Sequence, residues 1–324
     1  MPLPARRPQG PEKLRVRRAR FAICACLAFL PAFVAAAEGD VPHPLLEFAN
    51  ERVQALHEDP DTLAGAPNVR EAEHALGQAH VPADDECAGS IGAQRFATLH
   101  SELAAARSGA GDFTGAAAAY RSAHACRPRD AVILAALSGA LFDSRDFAGA
   151  RAAIDAALAV DPRSVSVNRL AGNLDFVDER WADAIARFRY VSASDPNRNT
   201  AAYGQLMFWL AQARAGVAHP EFVARTPGEG WPQPLLLYMR GEYTEAELLI
   251  PIKEGDNDYE AEPHTSTDER LCEALYYVGE AHWARGKPEV ARDYFAALVN
   301  IKVIYFLEHG LALAEIAKLR EKGD

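Results

Sequence analysis

Apolar and polar positions recur along most of this chain at helical spacing, and between Ala97 and Arg198 the pattern itself repeats every 34 residues without insertion. Three units result: Ala97–Asp130, Ala131–Ser164 and Val165–Arg198. Phe113, Phe147 and Trp181 hold the seventeenth place of their units, and Ala116, Ala150 and Ala184 the twentieth. Tyr120, Ile154 and Phe188 follow at the twenty-fourth, and Pro128, Pro162 and Pro196 at the thirty-second. A small residue at the twentieth place lets two antiparallel helices approach closely. The large residue at the twenty-fourth fills the gap that remains, and proline ends the second helix. Each unit reads as a helical hairpin. One hairpin cannot bury its apolar face alone, so consecutive units must stack.

The flanks keep helical periodicity but lose the register. Residues 38–96 form a helical extension with helices expected at Pro44–His57 and Asn68–His80, packing as an N-terminal cap or a dimer arm. Residues 97–198 hold the three regular units, and residues 199–267 a degenerate region. There Asn199–Gly216 reads as a first helix, His219-Pro220 and Arg225–Gly230 interrupt the second, and Pro234–Arg240 with Tyr243–Ile250 make a shortened hairpin. Glu254–Asp268 is an acidic loop. Residues 268–324 restore the register: Gly279, Gly286, Ala291 and Phe295 take places eight, fifteen, twenty and twenty-four of a unit that starts at Cys272. Tyr305–Leu319 is expected to close the stack, with Glu315, Lys318, Arg320 and Glu321 toward solvent. The fold class is all-α, a right-handed α-solenoid with an N-terminal helical cap and a C-terminal capping helix.

Residues 1–37 combine a basic segment, the apolar run Phe21–Ala37 and the small residues Ala35-Ala36-Ala37, the build of a secretory signal peptide cleaved after Ala37. The protein is then periplasmic or secreted; the alternative is a membrane-anchored chain, with membrane contact only through an uncleaved signal. Cleavage removes seven Lys/Arg and one acidic residue, so the formal charge of −11 becomes more negative still. Such a surface repels nucleic acid. Cys87 lies just before the first helix of the first unit and Cys126 ends its second, so antiparallel packing brings both to one end of the hairpin. In an oxidising compartment they are expected to form a disulfide; the alternative is unpaired thiols, and Cys272 is left over.

A 34-residue period with small, aromatic and proline positions in this order resembles the tetratricopeptide repeat. The stretch Glu273–Gly279, then Ala291, Phe295 and Asn300, then Phe306–His309 and Ala312–Glu315, preceded by Trp231 and Leu237–Gly241, is similar to the family of the periplasmic lipoprotein new lipoprotein I over about residues 200–320. That resemblance implies a helical-repeat adaptor of the bacterial envelope that dimerises and brings a processing protease to peptidoglycan hydrolases. The repeat resemblance implies a concave groove lined from the first helix of each unit. The lining positions are Phe142 and Asp143; Arg169, Asn173 and Phe176; Tyr203, Met207 and Leu210; and Tyr276, Glu280 and Trp283. Arg169 and Asn173 stand one turn apart and resemble half of a dicarboxylate clamp, whose other half is missing because Gly204 stands where asparagine would serve. Phe142, Phe176 and Met207 are equally consistent with packing between repeats.

Catalytic chemistry is not expected. There is no GxSxG, SxxK, HExxH or phosphate-binding glycine loop, and the ten histidines do not converge on one helical face. The carboxylates Asp256, Asp258, Glu260 and Glu262 lack the glycine and terminal glutamate of a calcium loop. Ser90 reads as a helix cap, and Glu308-His309, about 100° apart on a helix, do not face one ligand together. The expectation is a protein without enzymatic activity, cofactor or metal, a scaffold presenting its groove to proteins or peptides, with homodimerisation as an option. The competing readings are an assembly factor of a secretion, pilus or polysaccharide-export machine and an unrecognised hydrolase.

Overall fold

A computed structural model describes residues 43–58, 74, 91–223, 230–255, 266–301, 303–304 and 306–323. The signal segment, the expected helix Asn68–His80 apart from His74, the cap position Ser90 and the acidic stretch 256–265 lie outside the described residues. Within them the regular units give the hairpins α2 (Ile91–Gly109) with α3 (Phe113–Cys126), α4 (Ala131–Asp143) with α5 (Phe147–Val160), and α6 (Val165–Val177) with α7 (Trp181–Ser194). Each repeat proline lies two residues beyond its second helix. Capping follows the same register: Asp112 and Asp146 accept the amides of Gly115 and Gly149, and Asp130, Ser164 and Asn197 cap α4, α6 and the next helix, α8 (Arg198–Arg214).

The turn between paired helices is equally regular. The fifteenth residue is left-handed in every regular unit, Gly111, Arg145, Glu179 and Gly286 having φ of 79°, 66°, 56° and 77°. The amide one residue on bonds back to the helix, as Asp112 does to Arg107 and Arg180 to Asp175. Packing is set by places eight and twenty-four. Where Phe fills place twenty-four, as at Phe188 and Phe295, place eight is glycine, and a Cβ on Gly172 or Gly279 would stand 2.8 Å from the ring. With Ile154 at that place, position eight is Ser138, whose buried hydroxyl donates to the Ala150 carbonyl.

After α8 the hairpin is short: α9 (Gln233–Met239) and α10 (Glu245–Lys253). Then come α11 (Thr267–Ala284), α12 (Pro288–Ile301) and the closing helix α13 (Leu307–Gly323). Ser266 and Glu269 form a capping box that starts α11, and Thr244 with Glu247 another at α10. Among the described residues there is no strand, and no helix is long and apolar enough to cross a membrane.

Two docking events are not visible in the local pattern. The first helix, α1 (Pro44–Glu58), does not sit beside α2; it covers α10, α11 and α12, burying Leu45 and Ala49 fully and pairing Arg52 with Asp268 through two 2.8 Å hydrogen bonds. The closing helix α13 packs on α6 and α11 as well as on α12, so it lies across the first helices of the stack. Its charges therefore divide. Arg320 and Glu321 face water as expected, but Glu315 is fully buried, because the face of α13 that carries Leu311 and Ala312 is pressed into the stack and Glu315 shares it. Cys126 is disulfide-bonded, while Cys87, its expected partner, lies outside the described residues. Cys272 is a free, buried thiol.

Gly172→Ala is expected to destabilise the fold by about 1–3 kcal/mol through overpacking against Phe188. Adding Phe188→Leu should recover part of that loss in urea unfolding. A neutral Gly172→Ala would refute the pairing of places eight and twenty-four.

Candidate functional site

The concave wall is made by α4, α6, α8 and α11, and α13 crosses it. At the crossing, Leu307 and Leu311 border a small apolar void together with Phe142, Leu170 and Leu174, and a Cβ on Gly310 would meet Asp143 Oδ1 at 2.7 Å and the Phe142 ring at 3.1 Å. Glycine is what allows α13 this close. The groove of the repeats is thus largely filled by the chain's own last helix.

An opening of about 170 Å³ lies between the start of α13 and the wall. Arg169 and Asn173 of α6, Tyr203 and Met207 of α8, and Glu273 and Tyr277 of α11 line it, with Phe306, Leu307, Glu308 and Leu311 opposite. Glu273 accepts hydrogen bonds from Trp231 Nε1 at 2.6 Å and from Tyr203 Oη at 2.8 Å, and Tyr277 Oη donates to Glu308 at 3.3 Å. Burial raises the pKa of both carboxyls, and the charge of Glu308 raises Glu273 further. Arg169 pulls Glu308 the other way, yet it forms no hydrogen bond or ion pair among the described residues. Asn173, only 4% exposed, makes no side-chain hydrogen bond among them either. A guanidinium and an amide, one turn apart and without side-chain partners among the described residues, therefore line a cavity that also holds two carboxyls and an apolar edge. Such donors can bond a carboxylate or the carbonyls of an extended peptide.

Gly204 accounts for the missing half of the clamp. Its Cβ would lie 2.9 Å from Val191 and 3.1 Å from the Ser192 amide, so α8 backs onto α7 too tightly for any side chain there.

Behind the opening lies a buried charge cluster centred on Arg214, at the end of α8. Arg214 Nη1 donates to Glu280 at 2.5 Å, Nη2 lies 3.3 Å from Glu315, and Lys318 bonds Glu315 at 2.7 Å. The guanidinium stacks 3.8 Å from the centre of the Trp283 ring, with Trp181 and Phe176 at 5.4 and 5.6 Å. Burial opposes the charge on Arg214, but Glu280 and Glu315 outweigh it and raise its pKa. Burial pushes Glu280 up to about 7 against the pull of Arg214. A second buried carboxylate, Asp175 of α6, takes hydrogen bonds from Arg151, Arg180 and Arg187 and ties α5, α6 and α7 together.

The residues expected to line the groove fall into four groups, the last of them, Leu210 and Tyr276, fully buried. Arg169, Asn173, Tyr203 and Met207 meet at the opening. Phe142 and Asp143 lie under α13, and Phe176, Glu280 and Trp283 surround Arg214. Tyr276 is fully buried, edge-on to Tyr277. Phe176, Tyr276 and Glu280 have no exposed surface, since α13 and neighbouring repeats cover them. Glu273 was missed although it holds place two of the last unit, a groove position. Glu308, Leu311, Ala312 and Glu315 follow the i, i+3, i+4, i+7 spacing of one helical face, which was the available sign that α13 buries a mixed stripe. Arg214 lies past the repeat register and carried no sign.

Residues 108–174 match the family model described as tetratricopeptide repeat, a span that runs from the end of α2 to α6. No curated protein matches the chain.

Asp143 has no ion pair or hydrogen bond among the described residues, and burial pushes it from 3.8 to about 7. A carboxyl with a raised folded pKa contributes stability that is complete below its unfolded value and is lost as pH rises through the folded one. Native stability should therefore decline between pH 3.8 and about 7, and Asp143→Asn should flatten that decline in urea melts taken across the range. Arg214→Met leaves Glu280 and Glu315 buried without their cation and should cost about 3–5 kcal/mol. Adding Glu280→Gln and Glu315→Gln should recover much of it, which calorimetry of the four proteins would show.

Proposed function

Since the chain carries tetratricopeptide repeats, we propose that it is an exported scaffold without catalytic activity, which holds envelope proteins together by binding a segment of each partner at the Arg169–Asn173 opening. The observation that carries this reading is the pair of unsatisfied donors on α6, aimed into a cavity of the concave wall. Helical-repeat walls of this kind bind peptides through such donors and the apolar residues beside them. The likeness of residues 200–320 to the new lipoprotein I family supports an envelope adaptor, with a processing protease and peptidoglycan hydrolases as the partners to look for, and supports a homodimer. The signal-like residues 1–37 support a periplasmic or secreted location. The partner contributes a carboxylate or an extended stretch of backbone, because those groups satisfy a guanidinium and a primary amide together.

Arg169→Glu with Asn173→Ala should reduce partner capture from native envelopes at least tenfold while leaving the thermal unfolding midpoint nearly unchanged. Co-purification of a protease with a peptidoglycan hydrolase supports the adaptor. Capture that survives the double variant moves the contact elsewhere, and recovery of export-machine subunits alone favours an assembly factor.

A further inference from the structure

Away from the groove, three potential metal ligands from three separate segments converge. His43 precedes α1, Glu245 begins α10 and His282 lies near the end of α11. One ligand atom from each falls within 4.8 Å of the others. His43 Nδ1 and His282 Nε2 both stand 3.5 Å from Glu245 Oε1. For zinc–nitrogen and zinc–oxygen bonds of about 2.0–2.2 Å, two ligands on a tetrahedral edge stand ~3.4 Å apart, so the two edges that meet at Glu245 already have that spacing. The imidazoles meet edge to face, with ring centres 5.5 Å apart.

The hydrogen bonding within the cluster is incomplete. Neither ring nitrogen of His282 makes a hydrogen bond among the described residues, and Glu245 Oε2 is likewise unsatisfied although buried. Unmet buried polar atoms are costly, and a cation would satisfy several of them at once. Tyr294 of α12, 3.1 Å from His43 Nδ1 and stacked on the His282 ring, packs against the set, and its hydroxyl would give up that nitrogen to a bound ion. The His43 side chain is the more open one, 28% exposed against 12% for His282, which leaves a path from solvent.

We infer that His43, Glu245 and His282 bind a first-row divalent cation of the zinc class, with solvent in the fourth position, and that the ion fastens α1 to the C-terminal end of the stack. Two imidazoles and one carboxylate are the donors that such ions prefer over calcium or magnesium. Each ligand comes from a different segment, so the ion cross-links elements that α1 otherwise joins through packing and the Arg52–Asp268 pair.

The test uses purified full-length protein stripped with chelator and titrated with Zn²⁺ alone, then with Co²⁺ as a spectroscopic probe. One zinc per chain by elemental analysis, visible absorption of four-coordinate Co²⁺, and a rise of about 5 °C in the unfolding midpoint at saturating zinc are expected. Glu245→Gln, nearly isosteric, and His43→Ala, at the more exposed position, should fold as the parent does by circular dichroism yet lose the Co²⁺ spectrum and the midpoint shift. No stoichiometric zinc in the parent protein, or binding that persists in both variants, overturns the assignment.

Discussion

Arg214 is the point on which the stack depends. Its guanidinium, 5% exposed, joins α8 to Glu280 of α11 and Glu315 of α13, and three aromatic rings from α6, α7 and α11 enclose it. A charge so deeply buried is tolerated only when its partners are already in place. The same requirement couples three parts of the chain that no regular repeat connects: the end of the repeat array, the last unit and the closing helix. Because a misplaced α13 would strand Glu315 and leave Arg214 with one carboxylate, the cluster selects a single docking of that helix, where apolar contact alone would accept several.

That docking decides what the concave wall offers. In an open solenoid of this type the whole groove is free for a peptide, whereas here Leu307, Leu311 and Gly310 fill the section over α4 and α6. Beside it lies a cavity of about 170 Å³, lined by Arg169 and Asn173, whose side chains have no partner among the described residues. The cavity is therefore composite: six of its ten lining residues come from the wall and four from the closing helix and the residue before it. Burial raises the pKa of its carboxyls Glu273 and Glu308, which weakens their hold on a nearby cation.

The hairpins of the stack were legible because every constraint on them is local and periodic. Proline at place thirty-two, aspartate ahead of α3 and α5, glycine opposite Phe188 and Phe295: each acts within one unit, so a 34-residue register displays it. The groove residues of α6 and α8 were legible for the same reason. What stayed hidden was the docking of α1 and α13, since a helix that packs on a distant surface carries the same amphipathic stripe wherever it lands. The buried place of Glu315 and the meeting of His43 with His282 are tertiary facts. Spacing along one helix says nothing of two histidines on different ones, and a glutamate on an apolar face reads as an exposed residue until its arginine is found.

The position of α1 also bears on the order in which the molecule is assembled. His43 and Arg52 touch residues more than 200 positions further on, Tyr294 and Asp268 among them, while the repeats between close through neighbours. Local hairpins form early and at small entropic cost, and contacts across so long a stretch come late. The helix that leaves the ribosome first among those described is thus the last to find its seat. Until the C-terminal units exist, its apolar face with Leu45 and Ala49 has no surface in its own chain to cover.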